Sequence, residues 1–322
     1  MSKNNSGLTA VLKMIRIFSL VNVPVRAFIK VQTGFYQKVF RFFSIHWPVS
    51  GIITFKLPEG EKVKIYSKGD DYVSTQAFWK GYKGYEGPTI QLFYYLAKKS
   101  KVILDIGTHV GYFTLIGAHS NPSASVFSFE PVKHIFNRLK DNIRINGLTN
   151  VTATESVVGN SEAPVKFYIP EGKLPFAGST QKGWASGAKE VTIPSVSINT
   201  FKMNNKILKI DLIKIDCEFH EMEVLKGMSR VLKEDKPAII MEVLFPQGEG
   251  QKGHYEVETY KEIETFMKEN NYYFYLINEM ALIRLEKLEY NPDERNYLFS
   301  TKLSSRTYLA FSDINSLVND VL

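Results

Sequence analysis

The stretch Val102-Ile103-Leu104-Asp105-Ile106-Gly107-Thr108-His109-Val110-Gly111 decides how the chain folds. Its first five residues lack the apolar–polar alternation of a half-solvated strand, as expected of a strand covered on both faces of a parallel sheet. Gly107 and Gly111 then allow a tight turn with close approach to the backbone, and a helix is predicted over about 112–119. Strands and helices go on alternating downstream. Residues 125–130 read as a second strand, and Ile135, Phe136, Leu139 and Ile143 mark a helix that Gly147 stops. Residues 151–158, 212–216 and 238–243 read as the third, fourth and fifth strands. Helices follow the fourth, on Val224, Leu225, Met228, Val231 and Leu232, and the fifth, over 255–270; 272–277 and 307–311 are expected as closing strands. Strands alternating with helices predict an α/β fold with a doubly wound, mostly parallel sheet and right-handed crossovers.

Upstream, two short apolar runs at 52–57 and 63–66 flank Pro58-Glu59-Gly60-Glu61 and read as a hairpin, and Ile90, Phe93, Tyr94 and Ala97 mark a further helix. The expected organisation is a basic helical arm plus β-hairpin over 1–69 and an α/β domain over 70–322. Hydrophobic residues make up 44% and aromatics 13% of the chain, enough to bury a core and to exclude global disorder. The single cysteine, Cys217, excludes an intrachain disulfide and a cysteine-based zinc cluster and fits a reducing, cytoplasmic setting.

The formal charge of +7 is unevenly placed. Of 40 basic and 33 acidic residues, eight basic and no acidic ones fall within 1–58, so 32 face 33 beyond Pro58. The basicity belongs to the N-terminal segment. There Val25, Phe28, Ile29, Gln32, Tyr36, Val39, Phe40 and Phe43 form one stripe at helical spacing, and Pro24 suits a first turn. Three uses compete for this arm: packing on the body, peripheral contact with an anionic membrane surface, and dimerisation through residues 1–45. No apolar run is long enough to span a bilayer, and the short one between Arg16 and Arg26 lacks the cleavage site of a signal peptide.

Ligands of doubly wound sheets bind beyond the carboxyl ends of the strands, so the strand ends hold the candidate site. The first turn is G-x-x-x-G with an acid two residues ahead, not the G-x-G-x-x-G that cradles a dinucleotide pyrophosphate. Asp105 at that turn suits a ligand bearing a sulfonium and an amino group. Glu130, followed by Pro131, closes the second strand, where an acid accepts hydrogen bonds from ribose hydroxyls. The fourth strand ends in Lys214-Ile215-Asp216-Cys217-Glu218-Phe219-His220-Glu221, and the fifth in Glu242. Acids at a helix start explain Glu221 through the dipole, but not Lys214 and Asp216 on an apolar strand.

These motifs together resemble the FkbM-type methyltransferases over roughly residues 70–245. Residues 103–113 are similar to that family's first motif; Phe129-Glu130-Pro131 with Leu139, Asn142 and Asn146 to its second; 211–221 with Val224-Leu225-Lys226-Gly227 to its third; Lys236-Pro237 through Glu242 to its fourth; and Gly84-Tyr85-Glu86 to its lead-in. Phe219 stands where the family usually has glycine, and Thr108-His109 where it has Ala-Asn. The resemblance implies a seven-stranded Rossmann-like sheet of the class I methyltransferase type, S-adenosyl-L-methionine as cofactor, and a hydroxyl of a sugar, glycan or natural product as methyl acceptor. It implies cofactor contacts from Asp105, Gly107, Thr108, His109, Gly111, Tyr112, Glu130, Pro131 and Asp216.

Methyl transfer to oxygen needs donor and acceptor aligned and a proton removed. His220 or Glu218 is the expected general base, with Asp216 orienting the acceptor or the methionine amino group. Lys214, Glu242, Tyr85 and Trp184 are the expected acceptor contacts; Phe78, Trp79 and Tyr82 suit either sugar stacking or the core, and the glycine-bearing loop 175–189 suits a cover. No metal is expected. No DNA partner is expected either. Two rival readings are an RNA methyltransferase using the basic arm and a non-catalytic membrane-associated protein on a degenerate methyltransferase fold; a dehydrogenase is disfavoured by the glycine spacing.

Overall fold

The computed structural model describes residues 48–170, 178–182, 186–243, 259–289, 295–302, 308–310 and 314–322. The arm expected over 1–45 and Trp184 lie outside the described residues. By its internal contacts the chain divides into two compact units, one of residues 1–87 with 144–146 and one of 88–143 with 147–322, so residues 70–87 group with the hairpin.

In the first unit, β1 (Ser50–Lys56) and β2 (Lys62–Lys68) pair antiparallel with Ile53 opposite Ile65 and Phe55 opposite Val63. All four are buried, as the period-two pattern requires. The helix α1 (Tyr72–Lys80) starts on Asp71, whose Oδ1 accepts from the Ser74 amide at 2.6 Å while Oδ2 accepts from the Ser67 hydroxyl at 2.9 Å. Phe78 and Trp79 pack edge-to-face in this unit's core and are 3% and 0% exposed, so they are core residues.

The second unit opens with α2 (Gly87–Lys99) and continues through β3 (Val102–Ile106), α3 (Tyr112–Ser120), β4 (Ser125–Phe129), α4 (Lys133–Ile145) and β5 (Val151–Thr154). An insertion follows: β6 (Val157–Val158), the antiparallel pair β7 (Val165–Ile169) and β8 (Lys189–Ile193), then β9 (Ser195–Val196) parallel to β6, and α5 (Ile198–Asn204). The winding resumes with β10 (Leu212–Ile215), α6 (Glu221–Gly227), α7 (Ser229–Glu234), β11 (Ala238–Glu242), α8 (Thr259–Glu269), β12 (Tyr273–Ile277), β13 (Ala281–Leu285), β14 (Asn296–Ser300), β15 (Tyr308–Ala310) and α9 (Ile314–Val321). No helix among the described residues is long and apolar enough to cross a membrane.

Nine strands form the main sheet in the order β15-β13-β12-β14-β11-β10-β3-β4-β5. From β5 to β12 this is the seven-stranded class I arrangement, in which only β14 runs against its neighbours; β13 and β15 extend it beyond β12. The central strands β3, β10 and β11 are almost wholly buried, which matches their unbroken apolar runs. One expectation needs correction. The strand near residues 307–311 forms as β15 but sits at the outer edge, and the closing strand is β14. The sequence Asn296-Tyr297-Leu298-Phe299-Ser300 is buried from Tyr297 onward because it pairs on both sides, with β11 and β12.

The chain leaves β3 outward to β4 and β5 and returns on the other side of β3 as β10. The strand order therefore reverses between β3 and β10, the topological position where such sheets bind ligands.

Candidate active site

The turn after β3 is a left-handed zigzag: Gly107, His109 and Gly111 have φ of 80°, 52° and 93°. At Gly107 the backbone also leaves no room, since a Cβ would stand 1.8 Å from the Asp216 carbonyl oxygen. The close approach this glycine permits is to the protein's own β10 turn, not only to a ligand. The Gly107 and Thr108 amides both donate to the Phe129 carbonyl, and buried Asn142 donates to the Val110 carbonyl at 2.8 Å. Histidine is among the residues that tolerate the left-handed region, which lets His109 serve there.

Beneath this turn lies Asp105, 2% exposed. Its Oδ2 accepts from the Thr108 hydroxyl at 2.7 Å and the Thr114 hydroxyl at 2.6 Å, and Ser128 bonds Thr114 in turn. Asp105 thus pins the turn to α3 and β4. Burial raises its pKa against those hydrogen bonds and the attraction of Lys214. Thr108 and Tyr112 are also buried, and the Thr108 hydroxyl is engaged on Asp105, so these two shape the turn from inside. Glu130 is 5% exposed, accepts from the His109 amide at 3.0 Å and the Val132 amide at 2.8 Å, and is pushed by burial to about 7.

Beside this turn, β10 brings the second set. Its register sets Lys214 opposite Asp105, and the Asp216 amide donates to the Ile106 carbonyl at 2.9 Å. Lys214 is 1% exposed. Its ammonium meets Asn296 Oδ1 at 3.1 Å and Asp216 at 3.6 Å and lies 5.0 Å from the Phe113 ring centre. Glu242 closes β11 opposite Asn296, whose side chain meets the Lys214 ammonium. Among the described residues no three His, Cys, Asp or Glu are grouped to hold a metal ion.

The residues after Asp216 carry unusual backbone. Glu218 and Phe219 have φ of 49° and 69°. Burial pushes Glu218 to about 8, with Asp216 and Glu221 adding to the rise and Arg295 opposing it. Glu221, at the start of α6, is raised to about 7 by burial although it accepts from the Phe219 amide at 3.2 Å. Burial depresses His220 to about 4. Its Nδ1 is 2.9 Å from the Thr180 hydroxyl, and its Nε2 is buried without a hydrogen-bond partner among the described residues, against the glycine Gly159. Burial pushes the Cys217 thiol well up, which disfavours its thiolate.

Three residues that sequence reasoning passed over act here. Ser179 donates to the Glu218 carbonyl at 2.7 Å, Thr180 meets His220, and Gln181 reaches the Phe219 carbonyl at 3.5 Å. They follow β7, which Ser179 extends through a bridge to Tyr168. The β-prone runs Val165–Ile169 and Lys189–Ile193 could have marked this hairpin but were not read; its clamp on the β10 turn had no local signal. Tyr85 belongs to the first unit, where its ring stands edge-on to Tyr72 at 6.4 Å. A cleft of about 350 Å³ lined by Asn199, Lys202, Met203, Lys206 and Arg230, among others, includes none of the strand-end residues.

Comparison with known proteins gives the family. The family described as "Methyltransferase FkbM domain" matches residues 105–274, more than half of the 322. The chain belongs to the FkbM methyltransferase family. The matched region runs from the end of β3 to the start of β12 and includes both turns of the site. Among curated proteins, this FkbM chain is 30% identical over 149 residues to "Hexuronic acid methyltransferase AglP" of Haloferax volcanii, a match covering 46% of this chain and 58% of that protein. It is 25% identical over 174 residues to "Methyltransferase sdnD" of Sordaria araneosa, covering 45% and 67%. The chain thus spans little more than half the length of the Haloferax protein. Among solved structures, "Methyltransferase FkbM" from Methylobacillus flagellatus KT aligns with a TM-score of 0.37 at 16% identity, covering 62% of this chain and 43% of that one.

Proposed function

We propose that this FkbM domain transfers a methyl group from S-adenosyl-L-methionine to a hydroxyl of a sugar, glycan or natural product. One observation carries the reading: the glycine turn after β3, Glu130 at the end of β4 and the acidic turn after β10 meet at the sheet's switch point. Burial raises the proton affinity of Asp105, Glu130, Glu218 and Glu221 there, while the buried cation Lys214 stands beside Asp105 and Asp216 and Arg295 opposes the rise at Glu218. Carboxyls held protonated by burial favour a positively charged ligand, which lets them ionise. A sulfonium with an ammonium fits that requirement, and a dinucleotide pyrophosphate does not.

When bound, the cofactor supplies an electrophilic methyl group on sulfur. Glu130 is placed to accept from the ribose hydroxyls through the lone pairs its two amide bonds leave open. Asp216, partly exposed and adjacent to the Gly107 turn, holds the methionine amino group. Glu218 is the better-suited base of the two candidates, since the Nε2 of His220 is buried against Gly159 and its Nδ1 is engaged with Thr180. Burial raises the proton affinity of Glu218, and once a cationic cofactor lets it ionise its carboxylate can take a hydroxyl proton close to neutral pH. The hexuronic acid named for the Haloferax relative makes a uronic acid the first acceptor to try.

The test has two stages. Calorimetric titration with S-adenosylmethionine should give saturable binding; no heat and no protection against thermal unfolding would remove the cofactor from the reading. Glu218→Gln should then lower turnover about 100-fold or more with cofactor affinity nearly unchanged. Wild-type turnover in that variant would return the proton to another group.

A further inference from the structure

We propose that Phe219 is a specificity-determining residue: its ring forms the wall against which the ring of a sugar acceptor stacks. The inference rests on the sugar-acceptor reading above and deepens it. Two successive non-glycine residues, Glu218 and Phe219, sit in the left-handed region at φ 49° and 69°. A bulky aromatic there is strained, and glycine would adopt the same backbone freely. Strain of this kind persists where the surroundings over-determine it and where the side chain returns something.

The surroundings do over-determine it. The Glu218 carbonyl is held by the Ser179 hydroxyl, the Phe219 carbonyl by the Gln181 amide, the Phe219 amide by the Glu221 carboxyl and the His220 ring by Thr180. Side chains of three consecutive residues from the β7–β8 insertion are laid on three consecutive residues of the turn. What the clamp secures at its middle position is a half-buried aromatic ring between Glu218 and His220, two residues beyond the Cys217 thiol that faces the Ile106 carbonyl of β3. An aromatic residue following a base in the chain suits a polyhydroxylated pyranose, whose axial C–H face stacks on the aromatic ring while a hydroxyl reaches the carboxylate.

Phe219→Gly and Phe219→Ala separate the ring from the strain. Both are compared with wild type for thermal midpoint, S-adenosylmethionine affinity and methyl transfer to the methyl glycosides of glucuronic, galacturonic and mannuronic acid and of glucose. The expected result is that both raise KM for the sugar about tenfold or more and keep cofactor affinity within about twofold. Phe219→Ala, which retains a Cβ at positive φ, should melt about 2–4 °C below Phe219→Gly. A wild-type enzyme that methylates one of these sugars while both variants keep its KM overturns the role of Phe219 alone. A wild-type enzyme that binds the cofactor yet methylates none of the four overturns the sugar reading and this inference with it.

Discussion

At the scale of single residues, the site is built from positions where one atom more or less decides the outcome. Gly107→Ala would need both a left-handed alanine and a Cβ 1.8 Å from the Asp216 carbonyl, so the two turns must part. A loss of about 3 kcal/mol or more in chemical denaturation is expected, with cofactor binding abolished. Gly147→Ala is the control, since it shares a positive φ of 64° but meets nothing within 4 Å. It should cost about 1 kcal/mol and leave activity intact. Equal costs at the two glycines would show that conformation alone, not the approach of β3 to β10, makes Gly107 necessary. Asp105, Gly107, Gly111 and Glu130 were legible in the sequence because strand-end turns carry recognisable residue types at fixed offsets. That Asp105 is committed to Thr108 and Thr114 was not legible, because Thr114 lies a helical turn beyond the motif and only the packing of α3 on β3 and β4 brings it back.

At the scale of elements, α6 is pressed onto β6 through two glycines. A Cβ on Gly227 would stand 1.9 Å from the Gly159 carbonyl oxygen, and one on Gly159 would crowd Ser195 and His220. Gly227→Ala should therefore shift α6 and the Asp216–Glu221 turn that leads into it. The expected signature is a thermal midpoint lowered by about 5 °C or more and turnover lost together with it. An unchanged midpoint would mean that α6 moves freely and does not set the turn. The strand-and-helix alternation from β3 to β5 and through β10 and β11 was read from local pattern. Of the insertion between β5 and β10 only 175–189 was read, as a loop, and the closing strand was misassigned. In both places short β-runs of similar composition compete for one partner, and the choice is made by edges distant in sequence.

At the scale of the molecule, the acids at the switch point link cofactor binding to pH. Glu130, Glu218 and Glu221 have folded-state pKa values raised above the ordinary range, so their contribution to stability is full below about 4.5 and lost as pH rises through about 7 to 8. His220 is depressed, so its contribution is full above about 6.5 and lost as pH falls through about 4. The apo protein should accordingly be most stable on the acid side of neutrality, by thermal melts across pH 4–9. A cationic ligand reverses the upper limb by favouring the ionised carboxyls. S-adenosylmethionine should bind more tightly from pH 6 to 8 and release protons, by up to about tenfold per pH unit for each proton released. The demethylated product, with a neutral sulfur, should respond less. Identical pH slopes for the two ligands would show that the acids do not sense the sulfonium.

What the sequence determined by itself was local in origin. Apolar runs specified buried parallel strands, glycines at fixed spacing specified the first turn, and acids at two strand ends marked where a ligand belongs. Tertiary structure alone decided which strand closes the sheet, which carboxyls are sealed enough to hold their protons, and that Ser179, Thr180 and Gln181 grip a turn some 40 residues downstream. The reason is physical. Propensity and periodicity act within a few residues, whereas burial, pairing choice and the proton affinity of a carboxyl depend on neighbours that only the folded chain assembles.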